Sequence, residues 1–371
     1  MNTHLESHAP EIFLLPEQKE FMPAERRWQG IASMERSPKG RLFCVFYSGG
    51  ETEQNGNYAV LTASDDDGLT WIDPLAIIRH PDIHNMRVYD PNVWLDPLGR
   101  LWVTWATSHN YFDGRCGVWT AVCRQPDVPM DQLAFSKPRR IGNGIMMCKP
   151  TVLKDGAWLF PCAVWACMEP SEEHPECSHE RFSNVYASKD DGKTFALLGG
   201  ANVPNRCFDE HMVVERRDGT LWMLVRRYDG IGEAFSYDGG KTWWQERLTD
   251  LGGPCSRFFI RRLRSGNLLM VNHDNFHGRN NLMAKLSFDD GHTWAGGLML
   301  DERHDVSYPD GTEDENGFIY IAYDHERYRA REILMAKFTE RDILSGNCVN
   351  PESRLQVRVS QATGPLPTNH L

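Results

Sequence analysis

Charged and phenolic side chains stand at the entry to several apolar, strand-like runs of this sequence. RVYDPNVWLD carries Arg87 and Asp90, MCKPTVL carries Lys149, FDEHMVVE carries Asp209, Glu210 and His211, CSRFFIRRL carries Arg257, and VSYPDGTE carries Tyr308. Any one of these is readily absorbed as a buried ion pair. Eight of them at equivalent points are denser than structural need. Together they supply what a catalytic pocket uses: groups that move protons and cations that hold an anion. A second constellation, HPECSHE, places His174, Cys177 and His179 within six residues, with Cys167 upstream. Zinc takes four well-spaced ligands and this spacing matches no standard set, so the stretch is expected to be a polar rim loop without a metal. No cofactor is implied, and none of the ten cysteines lies in a nucleophile context.

The elements that must position these residues repeat along the chain. A glycine followed by an apolar run recurs six times, at Gly40, Gly99, Gly156, Gly219, Gly266 and Gly317, with spacings of 59, 57, 63, 47 and 51 residues. Each is preceded by another apolar run and a polar turn, which reads as a hairpin. A second repeat, S-x-D-x-G-x-T-[WF], occurs as SDDDGLTW from Ser64, SKDDGKTF from Ser188, SYDGGKTW from Ser236 and SFDDGHTW from Ser287. Its Ser and Asp can bond back to local amides, its Gly supplies a positive φ, and its aromatic can plug the layer beneath. It is a hairpin staple remote from chemistry. The gap of 124 residues between the first two copies, against 48 and 51 afterwards, implies one blade without a staple, near residues 111–135.

About 55 residues holding roughly four strands is the size of a propeller blade. The 371 residues therefore divide into one all-β, six-bladed β-propeller of four-stranded antiparallel blades rather than two or three domains. The expected boundaries are an N-terminal extension at 1–20, the ring at 21–345 and a C-terminal tail at 346–371, with either extension placed to close the ring or cap its rim. Twelve Trp and 31 Gly fit such a fold of short strands and tight turns.

Forty basic residues against 51 acidic ones give a net charge of -11, which repels a phosphate backbone and an anionic membrane face and so excludes nucleic acid and membrane partners. No apolar stretch approaches 18 residues and the start lacks a basic then apolar leader, so the expected location is the cytoplasm. The scattered cysteines fit buried free thiols there. No oligomeric state follows from these features.

The staple repeat is the Asp-box, and with six blades the chain resembles the sialidase superfamily from about residue 27 to 340. FDEHMVVERRDGTLWMLVRR is similar to the sialidase stretch in which a glutamate opens one strand and an arginine closes the next, which implies Glu210 and Arg226 in those roles. NHDNFHGRNNLMAKLSFDDG resembles the segment supplying another site arginine, here Arg279. VSYPDGTEDENGFIYIAYD resembles the last-blade motif whose tyrosine is the nucleophile, here Tyr308. Sialidases bring a third arginine from the first strand of the first blade, but Gly30 stands there, with Arg27 three residues earlier. The general-acid position in the following loop falls nearest Glu53, with Glu51 and Asp90 as alternatives.

The implied chemistry is coherent in itself. A phenol ionises near 10, so it attacks only with a carboxylate in reach to take its proton, the role assigned to Glu210. A neutral attacker suits an anomeric carbon that bears its own carboxylate, and sialidases stand apart from the two-carboxylate glycosidase scheme for this reason. Arg226 and Arg279 grip the anion, with Arg27, Arg87, Lys149, Asp209, His211 and Arg257 as further binding residues. The expected activity is exo-acting removal of a terminal, acidic sugar from an oligosaccharide or glycoconjugate. The departures at Gly30 and Glu53 point away from ordinary sialic acid, towards a uronic acid or another acidic or neutral sugar. Two alternatives stand beside it: β-elimination from a uronate with Tyr308 or His211 as base, and a carbohydrate-binding propeller without catalysis.

Overall fold

The computed structural model describes residues 9–168, 174 and 176–368. In it, each glycine-led run is the second strand of a blade and pairs with the run before it across a tight turn. The six turn glycines all have positive φ, between 74° and 104°. At Gly156, Gly219 and Gly317 nothing lies within 4 Å of where a Cβ would stand, so backbone conformation rather than space requires glycine there.

Six blades result, each an antiparallel sheet of four strands consecutive in sequence. Blade one is Gln29–Arg36, Leu42–Ser48, Tyr58–Ser64 and Ile72–Arg79; blade two is Met86–Leu95, Leu101–His109, Cys116–Cys123 and Arg139–Asn143. Blade three is Thr151–Val152, Trp158–Ala163, Ser183–Ser188 and Ala196–Ala201; blade four is Met212–Glu215, Leu221–Arg227, Gly230–Ser236 and Trp244–Leu248. Blade five is Phe259–Arg262, Leu268–His273, Leu282–Ser287 and Ala295–Asp301; blade six is Val306–Glu313, Phe318–His325, Glu332–Thr339 and Arg354–Gln361. Second strands meet a neighbouring blade on both faces, so Leu42–Ser48 and Leu221–Arg227 are buried throughout and read as continuous runs without alternation.

The four S-x-D-x-G-x-T-[WF] loops join third to fourth strands. In the copy from Ser236, Ser236 Oγ donates to Asp238 (2.9 Å) and accepts from Gly240 N (2.8 Å), while Asp238 accepts from Thr242 N (3.0 Å) and its hydroxyl. The motif glycine then rests on the preceding blade. A Cβ at Gly192 would stand 2.5 Å from Trp102, one at Gly291 2.4 Å from Trp222, and one at Gly68 2.7 Å from Met335. The tryptophans are thus mortar between blades, each burial contributing up to about 5 kcal/mol. Blade two carries no copy, and neither does blade six, a loss the sequence spacing does not reveal. There, a short helix (Glu340–Ser345) intervenes and Asp342 accepts from the amides of Val349 (2.6 Å) and Asn350 (2.9 Å).

The expected boundary at residue 345 moves. Arg354–Gln361 is the outer strand of blade six, paired with Glu332–Thr339, so the ring extends to Gln361. The 14 residues of helix and turn before it hide its period-two pattern, RLQVRVSQ. At the other end, Glu11–Leu14 adds a fifth strand to the edge of blade one. Among the described residues no strand is exchanged between blades; the seam between blades six and one is tied by hydrogen bonds and an ion pair. Arg26 Nη2 reaches Asp73 (2.6 Å), Ser360 Oγ donates to Asp73 (2.6 Å), Gln29 Nε2 donates to the Arg331 carbonyl (2.9 Å), and Gly364 N donates to the Arg26 carbonyl (3.0 Å).

Candidate active site

Three first strands break register at the same height: between Gly30 and Ser33, between Tyr89 and Asn92, and between Ser307 and Asp310. The residue inside each bulge takes left-handed backbone, Ile31 at φ 60°, Asp90 at 48° and Tyr308 at 58°. Such conformations are rare for side chains of this kind and cost about 1–3 kcal/mol each. Blade four arrives at the same place differently, through three consecutive left-handed residues, Phe208, Asp209 and Glu210 (φ 56°, 55° and 42°). The strain aims Ile31, Asp90, Phe208, Glu210 and Tyr308 into one axial cavity of about 40 Å³. Loops between second and third strands complete its wall with Glu53, Tyr111 and Trp165.

Tyr308 and Glu210 meet through Arg226. Its Nη1 donates to Glu210 Oε1 at 2.5 Å and to Tyr308 Oη at 3.0 Å, while Glu210 Oε2 is buried without a partner among the described residues. Burial works against the Arg226 charge, but Glu210, Tyr308 and Cys255 together outweigh it and keep the guanidinium protonated. Arg257 fixes the tyrosine from below. It donates to the carbonyls of Tyr308 (2.8 Å), Ala32 (2.6 Å) and Met147 (2.8 Å), so one side chain ties blades six and one to the stretch before blade three.

The two candidate acids differ in charge. Burial pushes the Asp90 carboxyl up to about 8, reinforced by the negative charges of Glu53 and Glu210 and opposed by Arg87, so it carries a proton at neutral pH. Burial also works to raise Glu53, but Arg327, Arg87 and the hydroxyls of Tyr47 (2.8 Å) and Tyr111 (3.1 Å) hold it below the usual carboxylate range, as an anion. Arg87 is sandwiched between the rings of Tyr89 (3.7 Å) and Tyr111 (4.4 Å), and its Nε and Nη1 are buried without a partner among the described residues.

Several residues expected in the pocket lie elsewhere. Arg27 points to the rim, paired with Glu51 at 2.5 Å and with the Leu366 carbonyl at 3.0 Å. Lys149 belongs to a buried lattice under the site, with Asp310 at 3.1 Å and Glu35 at 3.6 Å. Asp209 turns to Arg206 (2.9 Å) and Ser183 (2.6 Å), and His211 donates to the Asn184 carbonyl (2.6 Å), held neutral with burial lowering it to about 4. Both brace blade four against blade three. Arg279 does reach the site, its guanidinium 5.2 Å from the Tyr308 ring centroid. In HPECSHE, His174 contacts Glu176 at 3.5 Å and His179 contacts Glu180 at 3.4 Å. Among the described residues no group of side chains could hold a metal ion.

The charged residue of the site that the sequence does not signal is Arg327. Its guanidinium lies 4.4 Å from the Tyr308 ring centroid and 3.5 Å from Glu53, with Nε donating to Asp324 at 2.9 Å. Glu53, Tyr111, Trp165, Arg279 and Arg327 all follow second strands, so reading those five loops against one another would have found it.

The six-bladed propeller of four-stranded blades is sialidase-like in fold. The chain belongs to the BNR repeat-like family, whose domain matches residues 39–321. Solved structures share the fold. A Hadza microbial sialidase, Hz136, is 19% identical with a TM-score of 0.65, over 86% of this chain and 67% of its own. The intramolecular trans-sialidase of Ruminococcus gnavus, solved with oseltamivir carboxylate, is 12% identical with a TM-score of 0.67, over 92% and 99%. A protein of unknown function from Dyadobacter fermentans is 15% identical with a TM-score of 0.60, over 84% and 93%. No curated protein matches the chain. No helix among the described residues is long and apolar enough to cross a membrane.

Proposed function

We propose that the protein is an exo-acting, sialidase-like glycoside hydrolase that removes a terminal acidic sugar from an oligosaccharide. The observation that carries this reading is the hydrogen-bonded chain Tyr308–Arg226–Glu210 at the axis. Tyr308 Oη attacks the anomeric carbon and passes its proton to the free Glu210 Oε2 as the side chains close on substrate; such contacts are commonly longer before ligand binds. Asp90, protonated at neutral pH, gives its proton to the leaving glycosidic oxygen. Water then attacks the glycosyl-tyrosine, Asp90 takes its proton, and the departing phenolate recovers the proton from Glu210. Two displacements retain the anomeric configuration. Arg226 and Arg279 hold the sugar carboxylate beside the reacting carbon.

Sialidases and trans-sialidases among the structures that share the fold support a glycosidic substrate. The elimination alternative loses His211, which is buried on Asn184, and keeps only Tyr308 as a base. A panel of aryl glycosides that includes sialoside, glucuronide and neutral sugars tests the proposal. Turnover of an acidic member that Tyr308→Phe abolishes in a folded protein supports it, and near-normal turnover in that variant overturns it. An ultraviolet-absorbing product from a uronate polymer would establish elimination instead.

A further inference from the structure

We propose that Arg327 is the specificity-determining cation of this site: it occupies the space that a side chain at residue 30 would fill, and it selects sugars that carry a carboxylate. The inference rests on the glycosidase reading for the identity of the pocket, and on separate geometry for the residue.

Gly30 lies in the first strand of blade one, and its backbone is outside the left-handed region, so conformation does not demand glycine there. Space does. A Cβ on Gly30 would stand 2.5 Å from Arg327 Cδ and 2.9 Å from Cγ, closer than real Cβ contacts come. The stem of Arg327 therefore crosses the floor of blade one and delivers a guanidinium from blade six.

That guanidinium is fixed from behind. Asp324, fully buried, accepts from Arg327 Nε (2.9 Å), from Ser307 Oγ (2.7 Å) and from the amide of the strained Ile31 (2.7 Å). One carboxylate thus locks both the arginine and a bulge that shapes the pocket. Its Nη groups are less committed: Nη2 donates to Ser307 at 3.3 Å and Nη1 lies 3.5 Å from Glu53. Arg279 and Arg327 face the same Tyr308 ring, at 5.2 and 4.4 Å, and both line a second cavity of about 330 Å³. Two convergent planar guanidiniums beside a nucleophile suit a carboxylate, which takes the weakly held Nη1 in place of Glu53.

Calorimetric binding of N-acetylneuraminic acid, glucuronic acid, glucose and N-acetylglucosamine to the full chain tests this. We expect at least one acid to bind more tightly than both neutral sugars, and Arg327→Ala to weaken that acid about ten- to a hundredfold, the range of a lost charge-assisted bond. Gly30→Arg placed on the Arg327→Ala background should restore part of that loss, because the arginine returns to the same space from the other strand. As a check on geometry, Gly30→Ala alone should lower the unfolding midpoint and the second change Arg327→Ala should recover it. Unchanged acid affinity in Arg327→Ala, an equal loss for neutral sugars, or a wild-type chain that binds neither acid overturns the proposal. If instead the glycosidase reading is what fails, aryl glycosides are not turned over while the Arg327-dependent acid binding persists.

Discussion

Asp90 offers a prediction in which stability and catalysis must move together. Its carboxyl is 3% exposed and ionises near 8 in the folded chain, against an ordinary 3.8. The groups that face it are Glu53, Arg87, Glu210 and Arg257. Between those two values the unfolded chain has released the proton and the folded chain still holds it, so stability falls as pH rises from about 4 to about 8 and levels off above. At about 1.4 kcal/mol per tenfold change, keeping the proton at pH 7 sets roughly 4 kcal/mol against folding. Asp90→Asn has no proton to lose and escapes this term. Urea unfolding of wild type and Asp90→Asn at pH 5 and pH 8 should therefore show the variant gaining about 4 kcal/mol relative to wild type across that interval. The same variant should lose about 10²–10⁴ in kcat/KM on substrates with poor leaving groups, and far less on activated aryl glycosides that need no acid. A constant stability difference at the two pH values would refute the buried, protonated carboxyl, and full activity on poor leaving groups would refute its role.

Other expectations follow from individual contacts. Glu53→Gln removes a negative charge that holds the Asp90 proton, so the alkaline limb of kcat/KM should move to lower pH; an unmoved limb would separate the two groups. Arg257→Met leaves three buried carbonyls without their donor and should lower stability by about 3–6 kcal/mol, measured by urea midpoint, while a loss under 1 kcal/mol would show that the strut is dispensable. Ser236→Ala removes the buried acceptor of Gly240 N and should lower stability by about 1 kcal/mol without altering KM. The staple aspartates Asp66, Asp190, Asp238 and Asp289 are held down to about 2, chiefly by hydrogen bonds from Thr side chains and amides, so their contribution is present above about 4 and lost as pH falls towards 2. Acid unfolding monitored by tryptophan fluorescence should begin in that window.

The ring was legible because two local necessities repeat. A hairpin turn needs a left-handed glycine, and a staple loop needs Ser, Asp and Gly at fixed offsets, so both leave a period that survives sequence divergence. Blade six joins its third and fourth strands through a helix capped by Thr339 and organised by Asp342, without the staple, and its outer strand was therefore left in the tail. In the candidate site the strand-entry pattern brings three residues together: Asp90 and Tyr308 stand inside first-strand bulges, and Glu210 in the left-handed run before blade four. Arg327 was not legible, because its partner across space is Gly30, some 300 residues away, and the signal at residue 30 is the absence of a side chain. Arg27 lies before the first strand of blade one, which begins at Gln29, and its side chain goes to the rim, where Glu51 and the Leu366 carbonyl take it.

The central claim is that Tyr308 forms a covalent bond to the sugar. The direct measurement is to incubate the protein with a fluorinated acidic glycosyl fluoride, whose glycosyl-enzyme breaks down slowly, and to map the adduct by peptide mass spectrometry. One glycosyl unit is expected on the peptide containing Tyr308, and none in Tyr308→Phe. An adduct on Asp90, Glu210 or Glu53, or undiminished turnover in the phenylalanine variant, would contradict it.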